Sequence, residues 1–268
     1  LQDRDTGVLW LFLTRNPGDY NHSILDTPDH TRTVWYMTSE DDGVTWSEMV
    51  EVTDSTKDPN WSWYATGPGV GIQLSTGRLI IPCDHVVSSI LKSHIIYSDD
   101  RGATWHIGGS LGEQTNECQV VELADGSLLI SSRWHGEEGQ RAFATSKDGG
   151  LTWSEVRLEP TIYEPTCQGS IIRHQHKNCL LFSNPACGYG DDRTDVKVRL
   201  SYDDGMTWPV GKTIEPGHSA YSCLCELSDN TIGCLYERGN LNPYEKITFA
   251  HFNLEWLTDD KDKINGRD

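Results

Sequence analysis

Apolar positions along this chain come in short runs, and they do not follow a helical period. Runs of four to six aliphatic, β-branched and aromatic residues are bounded by Gly, Asp or Asn, which is typical of strands joined by tight turns. No long stretch repeats its apolar residues every three or four positions, so we expect few helices. The predicted strands are Val8–Phe12, Val34–Met37, Arg78–Ile81, His94–Tyr97, Ser127–Ile130, Ala142–Thr145, Cys179–Phe182, Val196–Leu200, Thr231–Leu235 and Ile247–Phe252.

A motif of the form Ser-x-Asp-x-Gly-x-Thr-Trp, an Asp box, occurs four times. Its Asp can accept hydrogen bonds from nearby backbone N–H groups, and its Gly can adopt a positive φ, so each copy predicts a hairpin turn. We expect the Thr and Trp to begin the returning strand and the Trp to cover the turn. The copies are Ser39–Trp46, Ser98–Trp105, Ser146–Trp153 and Ser201–Trp208.

The strands and boxes together form a repeat. Each box follows one predicted strand, and each of those strands follows another that begins just after a Gly or Asn. Repeats of about 50 residues with several strands each are typical of a β-propeller. About five units are present, and the last one, from Asn230 onward, has no box. The predicted fold class is therefore all-β.

Two repeats align without a gap and place polar residues at equivalent positions. Glu117 aligns with Tyr221, and Arg133 aligns with Glu237, in each case sixteen residues further along the chain. Equivalent positions in different blades can converge on one pocket. The ends of the apolar strands therefore predict either a ligand site or a solvated rim. These strand-end residues are Arg15, Asn16, Asp84, His85, Arg133, Asn184 and Glu237.

The amino-acid composition limits the kinds of ligand and partner that the protein can bind. The chain has 268 residues, with 40 Asp and Glu against 22 Lys and Arg, a net charge of −18 that disfavours nucleic acid. Any anionic ligand would need a local group of basic residues. Mean hydropathy is −0.52, and no apolar stretch is long enough to span a bilayer, so no integral membrane segment is predicted. The eight Cys lack zinc-site spacing, and we expect ordinary buried thiols, with Cys223 and Cys225 on one strand face.

These motifs in this order resemble the exo-α-sialidases (neuraminidases). The resemblance rests on the four boxes, Asn116–Gln119, Ala220–Ser222 and Tyr244–Ala250, and it extends to about Thr258. It implies a six-bladed β-propeller of sialidase type over residues 1–258, with about five blades' worth in this chain, and a polar tail over 259–268. An Arg-Ile-Pro segment and a following catalytic Asp, which the family carries, have no match here. A working enzyme would need them, with the opening blade, from residues upstream of Leu1, and whether they lie there stays open.

The resemblance also assigns site residues. It implies Tyr221 as the nucleophile and Glu117 as its general base, with Arg133 and Arg193 binding the carboxylate of sialic acid. Arg199 lies close to Arg193, but it falls inside a strand that leads to a box, so Arg193 is preferred. Glu237 either orients a neighbouring Arg or only hydrates the rim. Asp84 and His85 are candidates for contact with the glycerol or N-acyl arm of the substrate.

The chemistry of sialic acid gives these residue types a reason. Planar guanidinium groups bind a carboxylate at two points and stay charged. A neutral Tyr avoids the repulsion that a carboxylate nucleophile would meet beside the substrate carboxylate, provided that a base takes its proton. Tyr-nucleophile sialidases are the known exception among glycosidases that use two carboxylates.

We therefore expect retaining hydrolysis of terminal α-linked sialic acid from glycoproteins, gangliosides or oligosaccharides, with no metal or other cofactor. The alternatives are a non-catalytic sialic-acid-binding propeller, acting as a lectin or scaffold, or an inactive fragment. Linkage preference, hydrolase against trans-sialidase behaviour, and oligomeric state stay open. The compartment also stays open, although the resemblance slightly favours a secreted or lysosome-like one.

Overall fold

The computed structural model describes residues 1–16, 18 and 31–262, and this part of the chain is built almost entirely of strands. The strands of its first half are β1 Leu9–Arg15, β2 Thr33–Ser39, β3 Val50–Glu51, β4 Trp61–Thr66, β5 Ile72–Gln73, β6 Leu79–Val87, β7 Ile90–Ser98, β8 His106–Ser110 and β9 Thr115–Glu122. Those of its second half are β10 Leu128–Trp134, β11 Gln140–Ser146, β12 Arg157–Tyr163, β13 Ser170–His174, β14 Cys179–Pro185, β15 Thr194–Ser201, β16 Val210–Glu226, β17 Ile232–Arg238 and β18 Lys246–Phe252. The helices are α1 Thr53–Thr56 and α2 Leu254–Thr258.

The described strands form four hydrogen-bonded sheets that follow chain order. Their strand orders are β1-β2-β3, β4-β6-β7-β8 with β5 beside β6, β12-β11-β10-β9, and β13-β14-β15-β16-β17-β18. In the last sheet the long strand β16 pairs with β15 through its first half and with β17 through its second half. This sheet therefore contains two of the predicted repeats, and the four sheets together account for about five.

Every predicted strand is present, and the predicted lack of long helices is confirmed for the described residues. Two of the strands that follow a Gly or Asn turn are buried over most of their length. In β14 all seven residues are buried, and in β6 the first seven are. Helix α2 ends at Thr258, where the predicted domain ends, and that boundary stays a prediction.

The chain divides into two compact units. The first unit comprises 1–118 and 144–156, and the second comprises 119–143 and 157–268. Each has its own apolar core, as expected for strands that alternate inward and outward side chains. The core of the first unit includes Tyr64, Leu79, Ile96 and Trp105. The described residues of the second unit form one cluster around Phe143, Phe182 and Trp208 and another around Leu181, Leu200, Leu224 and Leu254.

The Asp boxes form the predicted turns. In the first box, Asp41 Oδ1 accepts from the Thr45 N–H at 2.8 Å, and Oδ2 accepts from the Thr45 hydroxyl at 2.6 Å. Gly43 has a φ of +84°, which favours glycine there. The Trp46 indole N–H donates to the Gly43 carbonyl, so the Trp covers the turn. The expectation that Thr and Trp begin the returning strand is wrong, since β3 begins only at Val50.

The expectation about the thiols holds only in part. All eight cysteines are free; five are buried, whereas Cys187 and Cys223 are half-buried and Cys225 is exposed. Cys223 and Cys225 pair with Leu235 and Gly233 of β17, and this register places them on one strand face as predicted. This face of β16 is therefore only partly covered. Among the described residues, no helix is both long and apolar enough to cross a bilayer.

Candidate active site

Tyr221 lies in a bulge of β16 in the second unit. Ser219 pairs with Arg238 and Ser222 pairs with Tyr236, so two residues of β16 face Glu237 alone. A bulge of this kind redirects a side chain and frees a backbone N–H from the ladder. The Tyr221 N–H donates instead to Glu237 Oε2 at 3.0 Å. The carboxylate of Glu237 therefore holds the backbone that carries the Tyr221 phenol.

Arg133 approaches the phenol from the neighbouring repeat. It is half-buried near the end of β10, and its Nη1 donates to the Tyr221 hydroxyl oxygen at 3.2 Å. The next residue, Trp134, donates its backbone N–H to Glu164 Oε1 at 2.7 Å. Arg133 thus presents a fixed positive charge to the oxygen that the sequence predicted as the nucleophile.

Arg193, which immediately precedes β15, lies over the ring of the same tyrosine. Its Cζ is 5.5 Å from the centre of the Tyr221 ring. Nη1 donates to the Tyr244 hydroxyl at 3.1 Å, and Nη2 donates to the Thr166 carbonyl at 3.0 Å. Burial by itself would lower the pKa of Arg193, but the nearby Cys167, Tyr244 and Tyr221 raise the pKa above its ordinary value. The guanidinium therefore stays charged.

The alternative residue, Arg199, lies elsewhere. It is 5% exposed within β15, and its Nη1 donates to Asn184 Oδ1 at 2.6 Å. Burial lowers the pKa of Arg199 to about 10. Among the arginines of this segment, Arg193 is the one that contacts Tyr221, and Arg199 ties β15 to Asn184 of β14.

Tyr244 is a member of this cluster that was not among the predicted site residues. It lies in the loop between β17 and β18, where Glu245 accepts three backbone N–H groups, those of Asn240, Leu241 and Asn242. These hydrogen bonds lower the pKa of Glu245, and the bond from Asn240 has the largest effect. The sequence signal was the closing motif that begins at Tyr244, but nothing in that motif indicated a contact with Arg193.

Glu117 lies in the first unit, on β9. It is half-buried between the buried residues Asn116 and Cys118. Asn116 Nδ2 donates to Asp84 Oδ2 at 2.8 Å, and the same oxygen accepts from Trp63 Nε1 at 3.1 Å. Within the first unit, the strand that carries Glu117 is therefore tied to Asp84 on β6. The pairing of Glu117 with Tyr221 stays a prediction.

His85 is enclosed by aromatic rings of the first unit. Its ring stacks on Trp61 with centroids 3.7 Å apart, and its Nδ1 lies 3.0 Å from Nδ1 of His94. Burial, with a smaller effect of Lys92, lowers the pKa of His85 to about 4. Both Asp84 and His85 are only 1% exposed. Direct contact of either side chain with a substrate stays a prediction.

A buried arginine beside Asp84 was missed by the sequence reasoning. Arg32 is 6% exposed, its Cζ lies 3.2 Å from the Trp63 ring centre, and its Nη1 donates to the Tyr64 carbonyl. Burial lowers the pKa of Arg32 to about 10, and the charge of Asp84 acts in the opposite direction. Arg32 stands outside every repeat marker, so the sequence carried no signal for it.

The second-unit cluster has a definite chemical capability. Two guanidiniums lie beside one phenol, in a protein whose net charge is −18. Such a local positive group can bind a carboxylate ligand at two points and can stabilise negative charge on the phenol oxygen. No group of three His, Cys, Asp or Glu side chains arranged for a metal occurs in the described part of the chain.

Known proteins resemble this chain closely enough to assign its class. The family described as "BNR repeat-like domain" matches residues 1–234. A sialidase from Micromonospora viridifaciens is 39% identical over 82% of this chain, and a sialidase from Bacteroides fragilis is 35% identical over 88%. The solved structure of the Hadza microbial sialidase Hz136 superposes with a TM-score of 0.86 over 96% of the chain, at 34% identity.

These likenesses confirm the predicted fold class, an all-β propeller of sialidase type. The chain belongs to the exo-α-sialidase family. It spans 35% and 46% of the lengths of the two curated sialidases, and 52% of the solved one.

Proposed function

We propose that this chain carries the tyrosine, the glutamate and two of the arginines of a retaining exo-α-sialidase. The substrates would be glycoproteins, gangliosides or oligosaccharides that end in α-linked sialic acid. The observation that carries the proposal is the grouping of Arg133 and Arg193 around Tyr221 within the second unit. Along the chain, Arg133 lies 60 positions from Arg193 and 88 positions from Tyr221. An anionic ligand gives a reason for two cations to assemble around one phenol.

The reaction would begin with attack by the Tyr221 oxygen on the anomeric carbon. The phenol proton passes to Glu117, and a bond forms between the oxygen and that carbon. The bond to the aglycone oxygen breaks, and the aglycone leaves with a proton from a general acid. The resemblance names an Asp for this step that has no match in residues 1–268. Water then attacks the same carbon and gives a proton to the conjugate base of that acid, while the bond to Tyr221 breaks and the phenolate regains its proton from Glu117. The two inversions leave the configuration unchanged.

The arginines would act before and during this step. Their guanidiniums bind the substrate carboxylate, which fixes the anomeric carbon near the phenol. They also stabilise the phenolate as its proton leaves. Glu237 would position the nucleophile, since its carboxylate accepts the Tyr221 backbone N–H at 3.0 Å. Asp84 would act through Asn116, which precedes Glu117, and it would thereby orient the base.

A Tyr221→Phe variant of the full-length protein tests the nucleophile with a fluorogenic α-sialoside. We expect kcat to fall by about three orders of magnitude or more, because loss of a covalent nucleophile removes most of the rate that the group supplies. Tyr202→Phe is the matched control, since Tyr202 is exposed in the fourth Asp box of the same unit. It should keep wild-type kcat.

The anomer that forms first separates the mechanisms. Retention predicts α-sialic acid as the initial product in proton NMR, followed by mutarotation. Initial β-product would contradict a tyrosine nucleophile. Binding of sialosides by the full-length protein without any turnover would instead support the non-catalytic alternative. Full activity of Tyr221→Phe would remove Tyr221 from the mechanism.

A further inference from the structure

The connection between β12 and β13 is a largely buried segment of the second unit. Glu164 is fully buried and Gln168 is 3% exposed, although the segment forms no strand. Connections normally run over the surface, because a buried loop must satisfy each of its polar groups. This segment, residues 164–168, satisfies them with bonds that end on the residues around Tyr221.

Gln168 bonds to the backbone directly after Tyr221. Its Nε2 donates to the Ser222 carbonyl at 3.0 Å, and its Oε1 accepts the Ser222 N–H at 3.1 Å. The side-chain amide of Gln168 thus bonds to Ser222 as a neighbouring strand would. It does so on the edge of β16 opposite to Tyr236, the β17 residue that pairs with Ser222. Since Tyr221 lies in a bulge, where the regular ladder is interrupted, this pair of bonds restrains the position of its backbone.

Thr166 bonds to the second arginine. Its φ is +51°, a left-handed conformation that is unusual for a β-branched residue. In this conformation its carbonyl accepts a hydrogen bond from Arg193 Nη2 at 3.0 Å. Strained residues of this kind persist where the surrounding structure holds them, often at functional sites.

Glu164 accepts a hydrogen bond from the residue that follows Arg133. Its Oε1 accepts the Trp134 N–H, and its Oε2 accepts from Arg141 Nη1 at 2.8 Å. Arg141 also donates to the carbonyl of Cys167, so it ties the two ends of the segment together. The strand end that carries Arg133 is therefore attached to the same buried segment.

We propose that residues 164–168 position the active-site cluster, with Gln168 as the principal positioning residue for Tyr221. This inference rests on the proposed function and adds a role to residues that were not among the predicted site residues. A displacement of about 1 Å at a reacting group costs roughly a hundredfold in rate. Gln168 should therefore affect kcat, whereas KM depends on arginines that it does not touch.

The test compares Gln168→Met with wild type in the full-length protein. Amide hydrogen exchange at Ser222 should become at least tenfold faster, because the side-chain oxygen that accepts its N–H is lost. With a fluorogenic sialoside, kcat should fall by about ten- to a hundredfold while KM stays within threefold. Gln168→Glu, which keeps an acceptor oxygen for Ser222, should recover part of both effects, and it replaces Gln168→Met if that variant does not fold.

Ser170→Ala is the matched control. Ser170 Oγ accepts the Leu224 N–H at 3.0 Å, so it bonds to the same strand two residues further from Tyr221. This variant should speed exchange at Leu224 and leave kcat unchanged. Unchanged exchange and kcat in Gln168→Met, or an equal loss of kcat in Ser170→Ala, would overturn the positioning role. If wild type itself turns over no sialoside, the proposed function fails, and the exchange rates alone decide the role of Gln168.

Discussion

At the scale of single residues, the geometry of the guanidinium group matters as much as its charge. Arg193 uses two nitrogens at once, one toward Tyr244 and one toward Thr166, while its carbon lies over the Tyr221 ring. A lysine carries the same charge on a single nitrogen, and it can reproduce neither the fork nor the stacking.

Arg193→Lys should therefore weaken substrate binding. We expect KM for a sialoside to rise about tenfold or more, since a charged hydrogen bond contributes about 1.5–3 kcal/mol. Steady-state kinetics measure this effect. Arg199→Lys is the control, because Arg199 bonds to Asn184 and does not contact Tyr221. An equal rise of KM in both variants would contradict the assignment of Arg193.

The buried ion pair of Arg141 and Glu164 makes a second prediction at this scale. Both side chains are at most 1% exposed, at 2.8 Å separation. Burial raises the pKa of Glu164, and the charge of Arg141 opposes that shift. Glu164→Gln should lower the free energy of unfolding by about 3–5 kcal/mol, because it leaves a buried charge without its partner. Urea unfolding measures the loss.

Asp259→Asn provides the comparison. It removes one partner of the solvent-exposed pair between Asp259 and Lys212 in the same unit. Water and salt screen such pairs, so little change in stability is expected. Similar unfolding curves for the two variants would show that the Glu164 pair contributes no more than a surface contact.

At the scale of elements, the Asp boxes act as independent local structures. In the third box, the Asp148 carboxylate accepts hydrogen bonds from the hydroxyl and the N–H of Thr152 and from the hydroxyl of Ser146. These bonds lower the pKa of Asp148 to about 2. An ionised Asp148 is therefore favoured in the folded protein relative to the unfolded chain. Its stabilising effect is complete above the ordinary pKa of 3.8 and is lost as the pH falls toward 2.

Asp148→Asn should lower the melting temperature at pH 7. The difference from wild type should stay constant down to about pH 4 and shrink below it, as thermal unfolding in a series of buffers would reveal. Asp42→Asn is the control: Asp42 lies in the first box with a φ of +58°, which Asn tolerates well. A pH-independent difference for Asp148→Asn would exclude the carboxylate as the cause.

At the scale of the whole molecule, the buried histidine pair predicts a loss of stability in acid. Burial lowers the pKa of His85 to about 4 and lowers that of His94, next to it, well below its usual range. Both are therefore neutral in the folded protein, whereas the unfolded chain takes up protons below about pH 6.5. The stability that this provides is complete above pH 6.5 and is lost as the pH falls toward 4.

Unfolding free energy should thus decrease by up to about 1.4 kcal/mol per pH unit for each histidine between pH 6.5 and 4. Urea unfolding at pH 7 and pH 5 measures the slope. The double variant His85→Gln, His94→Gln should flatten it, whereas His251→Gln, at an exposed ring on β18, should not. An unchanged slope in the double variant would place the acid sensitivity elsewhere.

Much of the fold could be predicted because it is written in local patterns. The strands around Leu79 and Leu180 follow from apolar runs after a turn residue, and the boxes follow from the bonding capacity of one Asp and the φ of one Gly. The place where the strand after each box begins could not be predicted. Pairing with a distant strand decides that start, and the pattern does not contain it.

The candidate site was predicted residue by residue, largely from the family resemblance, and the structure adds the contacts. Arg133 was found as the repeat equivalent of Glu237, yet its bond to Tyr221 joins residues 88 positions apart. Tyr244 and Gln168 carried no comparable signal. Tyr244 and Gln168 matter because of the groups that they contact, and those contacts depend on how several strands pack.

The sequence by itself therefore determined the strand content, the repeat and the residue types that suit a carboxylate ligand, because each depends on neighbours within a few positions. Only the tertiary structure decided that the β16 bulge turns Tyr221 toward Arg133, and that a buried connection bonds beside all three residues. The reason is physical: hydrogen bonds between remote segments form only after the sheets have packed, and buried polar groups must then find whichever partners that packing supplies.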